Sequence, residues 1–325
     1  MENPIIIGAK NSMQESIAVI IPCFNEGGTI SAVVSKFRLA LPDARVYVFD
    51  NNSTDDTSAV ARTAGAIVFA EPRQGKGNVV RRMFADVQAD VYVLVDGDDT
   101  YDAASAQKLV SVLTQERHDM VVGTRVPVDK GSYRRGHAIG NRMITGMVRW
   151  IFGRRVTDML SGYRVLSRRF VKSFPALSSG FEIETELTVH ALELGIPFCE
   201  IPTPYYERPS GSKSKLSTFR DGWRIIATIV KLVKGERPLA FFGWIGVLLA
   251  AVSIFIAIPL WITFMETGLV PRLPTAVLAT GLMLLAFLGF VCGLVLDIVT
   301  KGRQEMKRLA YLRFPASPAA PEATD

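Results

Sequence analysis

Asp96 and Asp98 stand one residue apart in VYVLVDGDDT (residues 91–100), where five apolar or aromatic residues run straight into three carboxylates within four positions. Two carboxylates so spaced at a strand end can converge on one point. Hard oxygen donors of this kind suit Mg2+ or Mn2+, with coordination positions left for the phosphates of a substrate. The competing reading is a solvated acidic turn. Gly75-Lys76-Gly77 is a second candidate: a glycine-flanked lysine at a helix start suits phosphate, although the loop lacks Walker spacing. Asp50 opens the run Asp50-Asn51-Asn52-Ser53 and can accept from a nucleobase imide or a ribose hydroxyl. Helix capping explains Ser53 to Asp56 equally well.

These groups need a scaffold that brings them to one edge. The segments IAVII (17–21), RVYVF (45–49), AIVFA (66–70), VYVLV (91–95) and DMVVG (119–123) read as short strands. Helical stretches such as TISAVVSKFRLAL and GNVVRRMFADVQ separate them, which predicts an α/β domain with a mostly parallel sheet. Such sheets bind ligands beyond the carboxyl ends of their strands. The ends here carry Pro22-Cys-Phe-Asn-Glu26, Asp50 to Asp55, Asp96-Gly97-Asp98-Asp99 and Gly123-Thr-Arg125, so polar chemistry collects on one rim.

The chain has 325 residues, 49% of them hydrophobic, and a net charge of +6. Its apolar excess is concentrated in residues 241–265 and 273–299, each long enough at ~1.5 Å per residue to cross a ~30 Å hydrocarbon layer. Lys231, Lys234 and Arg237 precede the first stretch, Lys301, Arg303, Lys307 and Arg308 follow the second, and the short turn between holds only Arg272 against Glu266. The positive-inside rule then predicts a multi-pass hairpin in the cell (inner) membrane, with the catalytic domain and both termini in the cytoplasm. The N-terminus lacks the pattern of a cleaved secretory signal. Cys23, Cys199 and Cys292 lie far apart and form no disulfide or metal framework, which fits a reducing compartment. Residues 216–234 alternate apolar and basic positions at helical spacing, as an interfacial helix does. The expected layout is a catalytic domain over 1–215, an amphipathic juxtamembrane helix over 216–237, a transmembrane hairpin over 238–300 and a basic tail over 301–325. The basic balance is assigned to membrane and phosphate, not nucleic acid, because no nucleic-acid motif accompanies it.

The order IPCFNE, FDNNSTDDT, RQGKGN, DGDD, VGTR, DMLSGYR, GFEIETEL and ERPSGSKSKLS resembles family 2 glycosyltransferases of the Rossmann-like GT-A fold. It is most similar to the branch of dolichyl-phosphate glucose and mannose synthases and bacterial polyprenyl-phosphate glycosyltransferases, over roughly residues 17 to 220. The resemblance implies transfer of a sugar from a UDP- or GDP-linked donor to a polyprenyl phosphate such as undecaprenyl or dolichyl phosphate, with inversion. It implies that Pro22, Asn25 and Glu26 contact the nucleotide sugar, together with Asp50, Asn52 and Lys76. Asp96 and Gly97 meet the same ligand, while Asp96 and Asp98 hold the metal. Asp158 is implied as a third catalytic residue that orients the acceptor, assists with a proton or supports the metal site. Arg125, Arg135, Arg208 and Lys215 are implied for the lipid phosphate.

Glu182, Glu184 and Glu186 enter a helical pattern and are assigned no catalytic role, and His118, His137 and His190 show no ligand spacing. Two rivals share parts of this pattern. One is a membrane polysaccharide or glycolipid synthase of the same fold; the processive polysaccharide branch would carry a Gln-x-x-Arg-Trp signature that is absent. A non-catalytic membrane scaffold would not need Asp96, Asp98, Lys76 and Arg208 intact. A homo-oligomer is compatible with the sequence.

Overall fold

The structure, a computed structural model, describes residues 15–128, 145–150, 153, 156–180, 182–208, 227 and 230–315. Alternating segments build strands β1 (Ile17–Cys23), β2 (Arg45–Asp50), β3 (Ile67–Ala70), β4 (Val91–Leu94) and β5 (Met120–Pro127). The helices between them are α1 (Ile30–Ala40), α2 (Thr57–Thr63), α3 (Lys76–Asp86) and α4 (Ser105–Gln115). Then follow β6 (Arg164–Ser167), α5 (Arg168–Ser173), α6 (Ile183–Leu194) and β7 (Phe198–Tyr205). Two long helices, α7 (Pro238–Thr267) and α8 (Leu273–Leu312), end the described chain.

The seven strands form one sheet in the order β3-β2-β1-β4-β6-β5-β7. Pairings β1/β2, β1/β4, β2/β3 and β5/β7 are parallel, and β6 runs antiparallel between β4 and β5. The strand order reverses at β1, which has β2 on one side and β4 on the other, so the crevice beyond their carboxyl ends is a topological switch point. Alternation along β1 feeds two cores. Val19 and Ile21 face α1 and α4, while Ala18 and Ile20 face α3, α5 and α6. Fully burying a side chain such as Val19, Ile20 or Ile21 contributes roughly 1.5–3 kcal/mol, which makes the sheet a firm base for its polar rim.

Helices α7 and α8 have few buried residues, and both are long and apolar enough to cross a membrane. They pack on each other through small residues. The Ser253 hydroxyl donates to the Ala279 carbonyl at 2.7 Å, and a Cβ on Gly246 would stand 3.0 Å from the Ala286 carbonyl oxygen. Helix α7 runs through Pro259 without interruption. Helix α8 continues past the apolar stretch to Leu312. Residues 230–236 are helical; most of 216–229 lies outside the described residues, as does the N-terminal segment 1–14.

Candidate active site

The ends of β1, β2 and β4 form the first wall of the crevice. Pro22 pairs with Phe49 inside the sheet, and Asn25 turns the chain at φ 54°, a left-handed conformation that Asn tolerates well for a non-glycine residue. Asn25 Oδ1 accepts from the Thr54 amide at 2.8 Å, and the Asn25 amide donates to Ser53 Oγ at 2.9 Å. The Glu26 amide donates to Thr57 Oγ1 at 2.9 Å. Asp50 is buried and accepts from the Ser53 amide at 2.9 Å and the Ser58 hydroxyl at 2.5 Å. Asn52 is exposed and also left-handed, at φ 64°. Its neighbour Asn51 is buried and holds the next loop, donating to the carbonyls of Glu71 (2.9 Å) and Arg73 (2.8 Å) and accepting from the Gly75 amide at 2.7 Å. The wall is thus a set of short-range bonds that aims the start of α3 at β4.

Lys76, the first residue of α3, reaches across to the acidic pair. Its Nζ lies 2.5 Å from Asp96 Oδ1 and 2.5 Å from Glu184 Oε1. Burial alone would lower its pKa, but these two carboxylates outweigh it and hold the ammonium well above its ordinary range. Asp98 is 3% exposed. Burial and then the charge of Asp96 push its pKa up, against the pull of Arg208 and the Thr100 hydroxyl. Arg208 Nη2 stands 2.6 Å from Asp98 Oδ2 and Thr100 Oγ1 2.6 Å from Asp98 Oδ1. Each acid therefore faces its own side-chain cation.

That arrangement fits a hard divalent ion. The pair offers oxygen donors only, and the mutual repulsion that raises Asp98 is the kind of cost a divalent charge relieves. Among the described residues no third His, Cys, Asp or Glu completes a metal cluster, which leaves positions for ligand oxygens. The backbone is shaped for close approach here. The Gly97 carbonyl accepts from Thr29 Oγ1 at 2.7 Å, and a Cβ on Gly162 would fall 2.5 Å from Asp96 Oδ2, so a larger residue there would push the acid out of place.

The second wall comes from β5, β6 and the loop before β6. Arg125 grips Asp158 by two contacts, Nε to Oδ2 at 2.8 Å and Nη2 to Oδ1 at 2.7 Å, while its amide donates to Oδ2 at 3.2 Å. Burial would raise the Asp158 pKa, but the bonds and charge of Arg125 hold it below the ordinary carboxylate range. Arg164, at the start of β6, is fully buried. Its guanidinium donates to the carbonyls of Ser161 (3.0 Å), Met159 (2.9 Å) and Glu184 (2.9 Å) and to Thr188 Oγ1 at 2.8 Å. It thereby ties the loop carrying Asp158 and Gly162 to α6.

The structure brings together Pro22, Asn25, Glu26, Asp50, Asn52, Lys76, Asp96, Gly97 and Asp98 on one wall, with Arg125, Asp158 and Arg208 facing the crevice from the other elements. Arg135 and Lys215 lie outside the described residues, as do Arg134, Arg142, Lys213 and His137. Three residues assigned no role from sequence prove central to the geometry: Glu184, Arg164 and Asn51. Glu184 lies in the first turn of α6, where only helix phase sets it apart from the other two glutamates of GFEIETEL. Its neighbour Glu186 instead accepts from the amides of Leu177 and Ser178, both at 2.8 Å.

Residues 18–174 match Glycosyl transferase family 2. The glycosyltransferase AglJ of Haloferax volcanii is 34% identical over 304 residues, covering 92% of this chain and 98% of that protein. The chain belongs to glycosyltransferase family 2 and is an enzyme of the hexosyltransferase kind, on a GT-A fold with a mostly parallel mixed sheet. An uncharacterized protein of Shigella flexneri is 58% identical over 154 residues, 47% of this chain and 94% of its own length. A dolichyl-phosphate hexose transferase of H. volcanii is 27% identical, covering 69% of this chain and 96% of its own. Among solved structures, Mycobacterium tuberculosis glucosyl-3-phosphoglycerate synthase superposes with a TM-score of 0.55 at 24% identity, covering 68% of this chain and 80% of that one. A structure of the same synthase contains Mn2+, UDP-glucose and glycerol 3-phosphate.

Proposed function

We propose that the enzyme moves a hexose from a UDP- or GDP-linked donor to a polyprenyl phosphate of the undecaprenyl or dolichyl kind. The product is polyprenyl-phosphate sugar with inverted anomeric configuration, and the nucleoside diphosphate leaves. The observation that carries this reading is the acidic pair at a switch-point rim, Asp98 buried and Asp96 half-buried, faced by Lys76 on one side and Arg208 on the other, in a chain that also holds two membrane-length helices. The dolichyl-phosphate hexose transferase among the relatives, and the UDP-glucose and Mn2+ seen in a structural neighbour, support it.

In this mechanism an oxygen of the acceptor phosphate attacks the anomeric carbon from the face opposite the donor diphosphate. The new carbon–oxygen bond forms as the bond to the diphosphate breaks, and the leaving group keeps the electron pair. The acceptor is already ionised near neutral pH, so no strong general base is required and positioning dominates. Asp158, held below its usual range by Arg125, is a poor proton acceptor and acts by fixing Arg125 at the crevice. Lys76 meets the developing charge of the diphosphate, and Arg208 offers a planar fork to the acceptor phosphate. Mg2+ or Mn2+, held by Asp96 and Asp98, would supply charge stabilisation to the departing diphosphate. The chain is proposed to lie as a multi-pass protein of the cell membrane, its catalytic domain and both flanks of the hairpin in the cytoplasm.

The test is a screen of the purified full chain in bilayers against radiolabelled UDP- and GDP-sugars with polyprenyl phosphate, with Mg2+, Mn2+ or EDTA. Lipid-extractable label that requires a divalent ion is the expected result. Transfer only to a soluble acceptor, or to a growing saccharide, would overturn the acceptor assignment.

A further inference from the structure

Helix α8 is 40 residues long, ~60 Å at 1.5 Å per residue, about twice what a hydrocarbon layer requires. The apolar sequence ends at Val299, and KGRQEMKRLAYL (residues 301–312) continues the same helix for ~18 Å. This extension is bound along one stripe, first to residues 235–236 of the juxtamembrane segment and then to the catalytic domain, where Arg303 Nη2 also lies 3.8 Å from Glu193 Oε1. Thr300 Oγ1 donates to the Gly235 carbonyl at 3.3 Å, and Arg303 Nη2 reaches the Gly235 carbonyl at 3.0 Å and Glu236 Oε1 at 2.9 Å. Lys307 pairs with Glu193, whose side chain is entirely buried. Tyr311 OH donates to Asp119 Oδ2 at 2.7 Å while the Arg169 guanidinium sits 4.8 Å over its ring. Arg169 in turn holds Asp119 by contacts of 2.5 and 2.7 Å.

Residues 303, 307 and 311 recur every four positions, so all three side chains leave the helix on one face. Contacts along a single stripe fix rotation about the helix axis as well as distance along it; a mere tether would need neither. The stripe also grips α6 at Glu193, nine residues from Glu184, which holds Lys76 beside Asp96 at the other end of the same helix. One short rigid element thus has the membrane helix at one end and the reaction site at the other.

We propose that the extension of α8 is a positioning strut: Arg303, Lys307 and Tyr311 lock the catalytic domain at one height and one orientation relative to the hairpin, so that the rim meets a lipid-borne phosphate at fixed depth. The lipid part of this proposal rests on the acceptor assignment above, whereas the mechanical part does not. A long-chain acceptor has its phosphate held at the bilayer surface and cannot diffuse to a displaced site. A short, water-soluble prenyl phosphate can.

The test uses the full chain in phosphatidylglycerol–phosphatidylethanolamine bilayers, with a dye on Leu39→Cys, an exposed position, and labelled lipid headgroups. In the wild type, energy transfer should report a single narrow distance. Lys307→Glu, which sets a like charge against Glu193, should broaden it, and the swap Lys307→Glu with Glu193→Lys should narrow it again. Activity should follow. Transfer to long-chain polyprenyl phosphate should fall about tenfold or more in Lys307→Glu and recover in the swap, as expected when reacting groups are misplaced. Donor KM and the rate with short-chain prenyl phosphate should stay within about twofold. Tyr311→Phe, which loses only the hydroxyl, should show the same split more weakly and guards against misfolding of the charge variant. An unchanged distance distribution in both variants overturns the strut, as does an equal loss with long and short acceptors. A distribution that broadens and narrows as expected in an enzyme that uses neither prenyl phosphate would keep the strut and remove the acceptor assignment.

Discussion

The two walls of the crevice are built by different means. The wall of β1, β2 and β4 closes with bonds between neighbouring loops: Asn25 with Ser53 and Thr54, Asp50 with Ser53 and Ser58, and Asn51 with residues 71 to 75. The wall of β5, β6 and α6 closes with charges. Arg125 holds Asp158, Arg208 holds Asp98, and Arg164 clasps three carbonyls. Bonds between uncharged groups, such as those of Asn25 and Asn51, contribute ~1 kcal/mol each, and their loss is felt locally. Breaking a buried charge pair leaves a desolvated ion, costs more, and displaces whatever the pair was holding. The first wall rests mainly on bonds between loops and the second mainly on ion pairs.

Mutations can break that contrast or sharpen it. The largest effect belongs to the acids where the walls meet. Asp98→Ala should cut turnover by on the order of 10²–10³-fold or more while circular dichroism stays unchanged, and EDTA should imitate it in the wild type. Full activity of Asp98→Ala in metal-free buffer would take the metal out of the reaction. Glu184→Gln keeps the shape but removes one of the two charges on Lys76, and we expect a drop of about tenfold to a hundredfold in kcat. If only melting temperature changes, Glu184 belongs to the scaffold alone.

On the second wall, Arg208→Ala should raise KM for polyprenyl phosphate about tenfold, with donor affinity by calorimetry nearly unchanged; an equal loss of donor affinity would move Arg208 to the diphosphate side. On the first wall, Asn51→Ala orphans the groups it serves and should cost ~1–3 kcal/mol in denaturant unfolding. It should weaken donor binding without altering acceptor KM. An acceptor effect from Asn51 would erase the distinction between the walls.

The smallest effect concerns pH. Glu236 is pushed up to about 8 by burial first and by the facing Glu193 next, while Lys307 and Arg303 pull the other way. Glu193 is held low, its own burial offset by a hydrogen bond with Glu236 and by the two cations. His190, lowered to about 3 by burial and by Lys307, stays neutral throughout. The folded chain therefore keeps a proton on Glu236 that the unfolded chain releases near 4.5. Stability should decline as pH rises from there through about 8. Glu236→Gln should flatten that decline in thermal melts at pH 6, 7, 8 and 9; an unaltered slope would assign it to other groups.

The same contrast explains what could be read from sequence. Every strand of the first wall announces itself by a β-branched run ending in a polar turn, and IAVII, RVYVF, AIVFA and VYVLV each fall within a residue or two of the observed β1 to β4. DMVVG fell short of β5, which runs on to Pro127. Strand β6 gives no such signal. It has four residues, RVLS, and its fit depends on antiparallel partners 42 to 76 positions earlier. Arg164 looked like part of a motif, but its burial follows from α6 arriving over it. Lys76 and the acids could be paired in principle from the family pattern, whereas the third partner, Glu184, came from a row of three similar glutamates that only helix phase separates. The sequence KGRQEMKRLAYL reads as a solvated basic tail because its partners Glu193 and Asp119 stand more than a hundred residues away.

The bond between Tyr311 and Asp119 spans 192 positions, and this sets an order on biosynthesis. Pairings among β1 to β4 lie wholly within residues 17–94, so that half can form early as the chain emerges, in keeping with the tendency of N-terminal units to fold first. Strand β5 must wait for β6 and β7 on either side. Asp119 waits longer still, until both apolar helices have been translated and residue 311 has followed them. A chain in which α8 does not dock therefore leaves Asp119, Glu193 and Arg169 without their last partners. Docking of residues 303–311 becomes a condition of finishing the enzyme, so that a chain cut short before them is also an incomplete one.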